Sequence, residues 1–152
     1  MPRSITLKFS GFDKTIRATL VDNQPDVTAS LWEALAKPMP MYTSHTASTG
    51  DYFIGKGRGP REPERVGSQA KPIGKTPLLC NLEPGSLCYA GAEEMSFAYG
   101  PDITEPLPDK GPVTARVDKA DLQAFYDAGM HVWENQYRHH KLVVVTLERA
   151  KG

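Results

Sequence analysis

Apolar residues near the start of the chain recur at every second place: Ile5, Leu7 and Phe9, then Ile16, Ala18 and Leu20. A period of two puts one side of an extended segment in a core and the other in water, so both stretches predict strands. The "GFDK" between them carries turn chemistry and makes the pair a hairpin. The period then changes. In "NQPDVTASLWEALAKPMP", Val27, Leu31 and Leu35 stand four apart with Trp32 beside them, the spacing of one helical face. Pro25 and Asp26 suit the first turn of that helix, and Pro38 and Pro40 stop it. β character returns in "MYTSHTASTGDYFIG", where the isolated Gly50 predicts a bulge or bend.

Residues 55–77, "GKGRGPREPERVGSQAKPIGKTP", follow no period. They hold six Lys/Arg, two Glu and many Gly and Pro. A structureless stretch of that length in a compact domain is a functional lid or a disordered loop. "LLCNL" and "SLCYA" flank the turn "EPGS" and predict strands, as does "EMSFAYG", while "PDITEPLPDKGPV" is a second Pro-rich loop. "DKADLQAFYDAG" predicts a short helix with Asp118 as N-cap, Leu122, Phe125 and Tyr126 on one face, and Gly129 as C-cap. "KLVVVTL" is a strongly apolar strand, expected to be central and well buried. Seven or eight short strands with two helices do not suit a parallel βαβ sheet. The pattern predicts a single domain over 1–152 of mainly β class: a closed, mostly antiparallel barrel with two short helices against it.

Composition narrows function more than fold. The 152 residues are 39% hydrophobic, enough for one sizeable core. Lys+Arg and Asp+Glu both number 18, so the chain lacks the basic excess with which nucleic-acid binders neutralise phosphates. No apolar run approaches the roughly 20 residues needed to cross a bilayer. The opening "MPRSITLKFSGF" has no apolar signal region, so a cytoplasmic protein without nucleic-acid or membrane partners is expected. Cys80 and Cys88 fit no zinc spacing and are expected to be free, mostly buried thiols.

"GKGRG" and "PIGKTP" look like phosphate loops, but such loops open a helix. Here Pro60 and Pro63 follow the first and Pro77 the second, and Gln69 stands where the second needs its leading glycine. The four histidines, His45, His131, His139 and His140, show no convergent zinc pattern. No metal and no cofactor is expected. A Gly-x-Ser-x-Gly elbow is missing too.

Two stretches carry acid–base candidates. In "AEEMSFAYG", Glu94, Ser96 and Ala98 share one strand face and Met95, Phe97 and Tyr99 the other. A carboxylate among apolar neighbours has a raised pKa and suits proton transfer. "SHTASTGDYFIG" reads as one strand that bends at Gly50 and delivers His45, Ala47 and Thr49 on one face. His45 is the one nearby group that titrates near neutral pH.

The order of four pieces resembles a family of small bacterial and archaeal proteins of unknown function with a cyclophilin-like fold. The pieces are "ATLVDNQPDVTASLWEAL", "SHTASTGDYF", "LEPGSLCYAGAEEMSFAYGP" and the closing helix, Gly129 and strand. In that family a Pro-Gly-[Asp]-x-x-Tyr step precedes a strand ending in an aromatic and Gly. Pro84-Gly85-Ser86-Leu87-Cys88-Tyr89 and Phe97-Ala98-Tyr99-Gly100 hold those places, with Ser86 instead of Asp. The resemblance implies a strand order that brings Tyr42, Glu94 and Tyr99 towards the cavity of His45.

The expected catalytic groups are therefore His45, Glu94 and Tyr99, with Tyr42, Tyr89, Arg58 and Arg61 as ligand contacts. The expected function is binding of a small polar metabolite at the barrel mouth. Where chemistry follows, it is that of a hydrolase, lyase or isomerase. True cyclophilins are prolyl isomerases, but their Arg-bearing strand and aromatic groove have no counterpart around Arg17 or Arg116, and fold alone does not transfer the activity. Rival readings are a proline-directed or peptide-binding module and a subunit of a larger enzyme. A homo-oligomer is compatible with each.

Overall fold

In chain order the elements are β1 (Ser4–Phe9), β2 (Thr15–Leu20), α1 (Pro25–Ala34), β3 (Met39–His45), β4 (Gly50–Lys56), β5 (Ser86–Gly91), β6 (Glu94–Ile103), β7 (Val113–Val117), α2 (Leu122–Glu134) and β8 (Val144–Arg149). They belong to a computed structural model that describes residues 3–57, 76–91, 94–109 and 111–151. Every paired strand is antiparallel, and the order β1-β2-β7-β5-β6-β4-β3-β8 closes because β8 also pairs with β1. The fold class predicted from the sequence is the one observed. Among the described residues no helix is long and apolar enough to cross a membrane.

Alternation drives the architecture, since a barrel has an inside and an outside. Ile5, Leu7, Phe9, Ile16 and Ala18 fill the interior from one side, and Met41, Phe53, Phe97 and Leu147 from the other. Val27 and Leu31 of α1, with Leu35 at its C-cap, plug the end where β2 finishes and β3 begins. Phe125, Ala128 and Val132 of α2 plug the opposite end, where β3 and β7 finish. Outside the barrel, backbone bonds from Leu79 and Cys80 to Leu107 and Glu105 join two loop segments. Leu79 and Leu82 thereby cover Tyr52, Cys88, Ala98 and Ile103 on the outer sheet face.

Local structure departs from the sequence reading in five places. "SHTASTGDYFIG" is a hairpin, not a single bent strand: β3 ends at His45 and β4 starts at Gly50. Thr46 closes the turn by donating its N–H and Oγ1–H to the Tyr52 carbonyl, at 3.4 and 3.1 Å. "LLCNL" holds a 3-10 turn over Leu79–Asn81 in place of a strand, strapped by the loop bonds just described. Asp118 does not cap α2. A 3-10 turn over Lys119–Asp121 intervenes, and the Asp118 carboxylate accepts Thr19 Oγ1–H at 2.8 Å. Gly129 does not end α2, which runs on to Glu134 and then widens into a π-type turn over Asn135–His139. In "KLVVVTL", Val143, Val145 and Leu147 are buried, but Leu142 is 61% exposed, because β8 begins only at Val144 and Leu142 lies in the segment before it. Cys80 and Cys88 are both free, and Cys88 is buried as expected, but Cys80 is exposed.

Candidate functional site

Beneath α2 lies a cavity of about 300 Å³ whose walls include His45, Asp51, Tyr99, Tyr126, Met130 and Trp133. His45, 4% exposed, is the last residue of β3, on the inward side that Met41 and Thr43 also occupy. On its β4 side it pairs with Phe53. On the other side the ladder with β8 has already ended at Tyr42 and Val144. Gln136, from the π-type turn, takes over there. Its Oε1 accepts the His45 N–H at 2.7 Å and its Nε2 donates to the His45 carbonyl at 2.9 Å. The Tyr137 hydroxyl donates to the same carbonyl at 3.0 Å. A side-chain amide thus stands in for a strand partner and fixes where the imidazole starts.

Hydrogen bonding also fixes the ring. His45 Nδ1 lies 2.7 Å from the Thr46 carbonyl, which can only accept, so Nδ1 carries the hydrogen. Nε2 is left as the acceptor for the Tyr99 hydroxyl, which donates to it at 2.6 Å. Burial lowers the pKa of His45, outweighing the Thr46 carbonyl and the Asp51 charge, which both raise it. Burial pushes the Tyr99 phenol well above its usual range, with the charge of Asp51 and the neighbouring Tyr126 adding to it. The pair therefore rests as neutral imidazole and neutral phenol.

Asp51 reaches the site through a bulge. Gly50 faces Ile103 across the sheet while Tyr52 faces Ala98, so residues 99–102 loop past Asp51 unmatched. Gly50 has φ 111°, and a side chain there would collide with the Asp102 carbonyl. The Asp51 carboxylate accepts the Asp102 N–H at 3.2 Å. Aromatic packing supports the whole. The Tyr99 ring meets His45 edge-on at 5.5 Å and Tyr126 at 5.7 Å, and Phe53 below stacks on Phe97 at 4.6 Å. On α2, a β-carbon at Gly129 would fall 2.2 Å from Tyr99 Cγ, so only glycine lets the helix lie this close.

Of the residues singled out in the sequence, the structure brings His45 and Tyr99 together and sets Glu94, Tyr42 and Tyr89 apart from them. Glu94 sits at the opposite end of the barrel, five residues along β6 from Tyr99, or roughly 17 Å at a strand's rise per residue. It shares the outer face with Ser96, whose hydroxyl donates to the buried Asp109 carboxylate at 2.8 Å. Tyr42 is 63% exposed, because outward and inward positions alternate along β3. Tyr89 points into the core with no exposure at all, among the plugging side chains. Arg58 and Arg61 lie outside the described residues.

Sequence reasoning missed Asp51, Tyr126, Met130, Trp133 and Gln136. A signal for three of them was present. Tyr126, Met130 and Trp133 stand four and three apart, one helical stripe, once the helix continues past Gly129. Among the described residues no three His, Cys, Asp or Glu side chains are grouped to hold a metal ion.

No protein-family model and no curated protein matches the chain. Among solved structures it is similar to McbB in complex with tryptophan, with a TM-score of 0.82 over 97% of this chain at 19% identity. The match takes in 45% of the McbB chain, so this sequence spans less than half of that protein's length. At that identity the likeness establishes one thing, a shared eight-stranded barrel fold.

Proposed function

We propose that the protein binds a small organic molecule in the cavity beneath α2 and exchanges a proton with it through Tyr99 and His45. The observation that carries this reading is the 2.6 Å bond from the Tyr99 hydroxyl to His45 Nε2 on the cavity wall. A ligand proton passes to the Tyr99 oxygen as the phenol hydrogen moves to Nε2. The Thr46 carbonyl, bonded to Nδ1–H, and the Asp51 charge stabilise the imidazolium that results. The reverse passage donates a proton. A histidine whose pKa is lowered is a base at neutral pH, which suits the first direction.

The McbB complex supports the small-molecule part, since McbB, part of which shares this fold, is seen in complex with tryptophan. Kinship with the small prokaryotic cyclophilin-like proteins belongs to the same proposal and is supported by the closed barrel and its two helices. Glu94, Tyr42 and Tyr89 have no part in it.

The test is incubation with pooled metabolites, followed by mass spectrometry of what is retained and what is converted. The expected result is a retained compound whose conversion slows by about a hundredfold or more in Tyr99→Phe and His45→Gln. Conversion at the native rate in both variants would rule out the proton exchange. Retention that persists when the cavity is filled by Ala47→Trp, a substitution at another residue of its lining, would rule out the cavity.

A further inference from the structure

We propose that the ligand of this cavity is an organic cation, an ammonium group joined to a flat apolar body. The inference rests on the small-molecule reading above and adds the ligand class to it. Its basis is the chemistry of the walls.

Asp51 is the one charged side chain lining the cavity among the described residues, and no lysine or arginine lines it. His45 is held neutral by burial, so it does not cancel that charge at neutral pH. An ionised carboxylate has room for about four hydrogen bonds. Among the described residues, Asp51 accepts one bond to its side chain, from Asp102 N–H at 3.2 Å. The remaining walls are the uncharged Thr46, Ala47 and Gly50 together with aromatic rings and a thioether: Tyr99, Tyr126, Trp133 and Met130. Rings of this kind attract cations to their faces and bury flat apolar groups, and sulfur packs against ring edges. An anionic ligand would meet the Asp51 charge without a compensating cation. A neutral one would leave the carboxylate facing an apolar body and lose its hydration for nothing in return.

The experiment uses three probes of one shape and different charge: benzylamine, which is an ammonium at neutral pH, benzyl alcohol and phenylacetate. Methionine-methyl labelling gives the readout, because Met130 lines the cavity while Met39, Met41 and Met95 sit in the core. Benzylamine should shift the Met130 methyl signal saturably and bind about tenfold or more tighter than benzyl alcohol, with phenylacetate weakest. Asp51→Asn should erase that preference while the core methionine signals stay in place. Tyr126→Leu, which keeps the charge, should weaken benzylamine more than benzyl alcohol. Should Asp51→Asn fail to fold, the three-probe comparison on the native protein and Tyr126→Leu still decide. Equal binding of all three probes, or a preference for phenylacetate, overturns the cation class and leaves the cavity reading standing. If no probe moves Met130, both readings fall.

Discussion

Gly129→Ala puts the contact between α2 and the Tyr99 ring to a direct test. Inside a helix this change normally stabilises, by about 1 kcal/mol, because alanine loses less backbone entropy than glycine. Here the added β-carbon would fall 2.2 Å from Tyr99 Cγ, well inside contact distance. The ring cannot yield freely, since it is 2% exposed and held among His45, Phe53 and Tyr126. Overpacking of a closed core costs about 1–3 kcal/mol, and a ring boxed in this way puts the cost in the upper half of that range.

Moving the ring also stretches the 2.6 Å bond to His45 Nε2, a further loss of about 1 kcal/mol. The balance is a net destabilisation of about 2–3 kcal/mol, which lowers Tm by roughly 4–12 °C in a domain of this size. Thermal unfolding followed by circular dichroism measures it. An NMR titration of His45 should show its pKa rising towards the ordinary value as burial loosens. A Tm equal to or above that of the native protein would refute the close approach and the clamp it imposes on Tyr99.

Gln136→Ala should cost about 1–3 kcal/mol in urea unfolding, since it strips partners from the backbone of a buried His45. Gln136→Glu, which keeps the acceptor for His45 N–H, should lose less, and equal losses would count against the clamp. Phe53→Ala removes the ring stacked on Phe97 in the core and should cost about 3–5 kcal/mol, with a cost under 1 kcal/mol showing that the core had collapsed around the gap. The folded pKa of His45 lies below its ordinary 6.5, so stability from the neutral buried ring is complete above pH 6.5 and is lost as pH falls through that value towards the folded one. Across that interval His45→Gln should flatten the dependence of unfolding free energy on pH, and an unchanged slope would mean the ring is already solvated.

The fold was legible in the sequence because its main signal is local. Ile5, Leu7 and Phe9 need only their own spacing to announce a strand with a buried side, and Val27, Leu31 and Leu35 a helix. Errors fell where a local signal has two readings. Gly129 looks like a C-cap until Tyr99, thirty positions away in sequence, is seen to need the space. "TASTG" carries turn residues, yet hydroxylated β-branched side chains also suit a strand, and only pairing of Thr46 with Tyr52 separates the two. The site was half legible. His45 and Tyr99 could be named by type, but Asp51 depends on a bulge in which residues 99–102 outrun their partner strand. Gln136 depends on a π-type turn that has no clear signature in sequence. Glu94 was misplaced because strand parity gives the face of a side chain and says nothing about which end of the barrel it occupies.

Closure through β8 sets the order in which this barrel can be finished. That strand lies between β1 and β3, hydrogen-bonded to both, and is the last of the eight to be synthesised. While a ribosome adds residues at about 5–20 per second, β1 and β3 wait with open edges for a partner not yet made. Its ladder with β1 joins Ile5 to Arg149, nearly the whole described chain apart, a pairing of high sequence separation of the kind that goes with slow folding. Until β8 slots in, the nascent chain therefore holds two unpaired edges open to pairing with its neighbours.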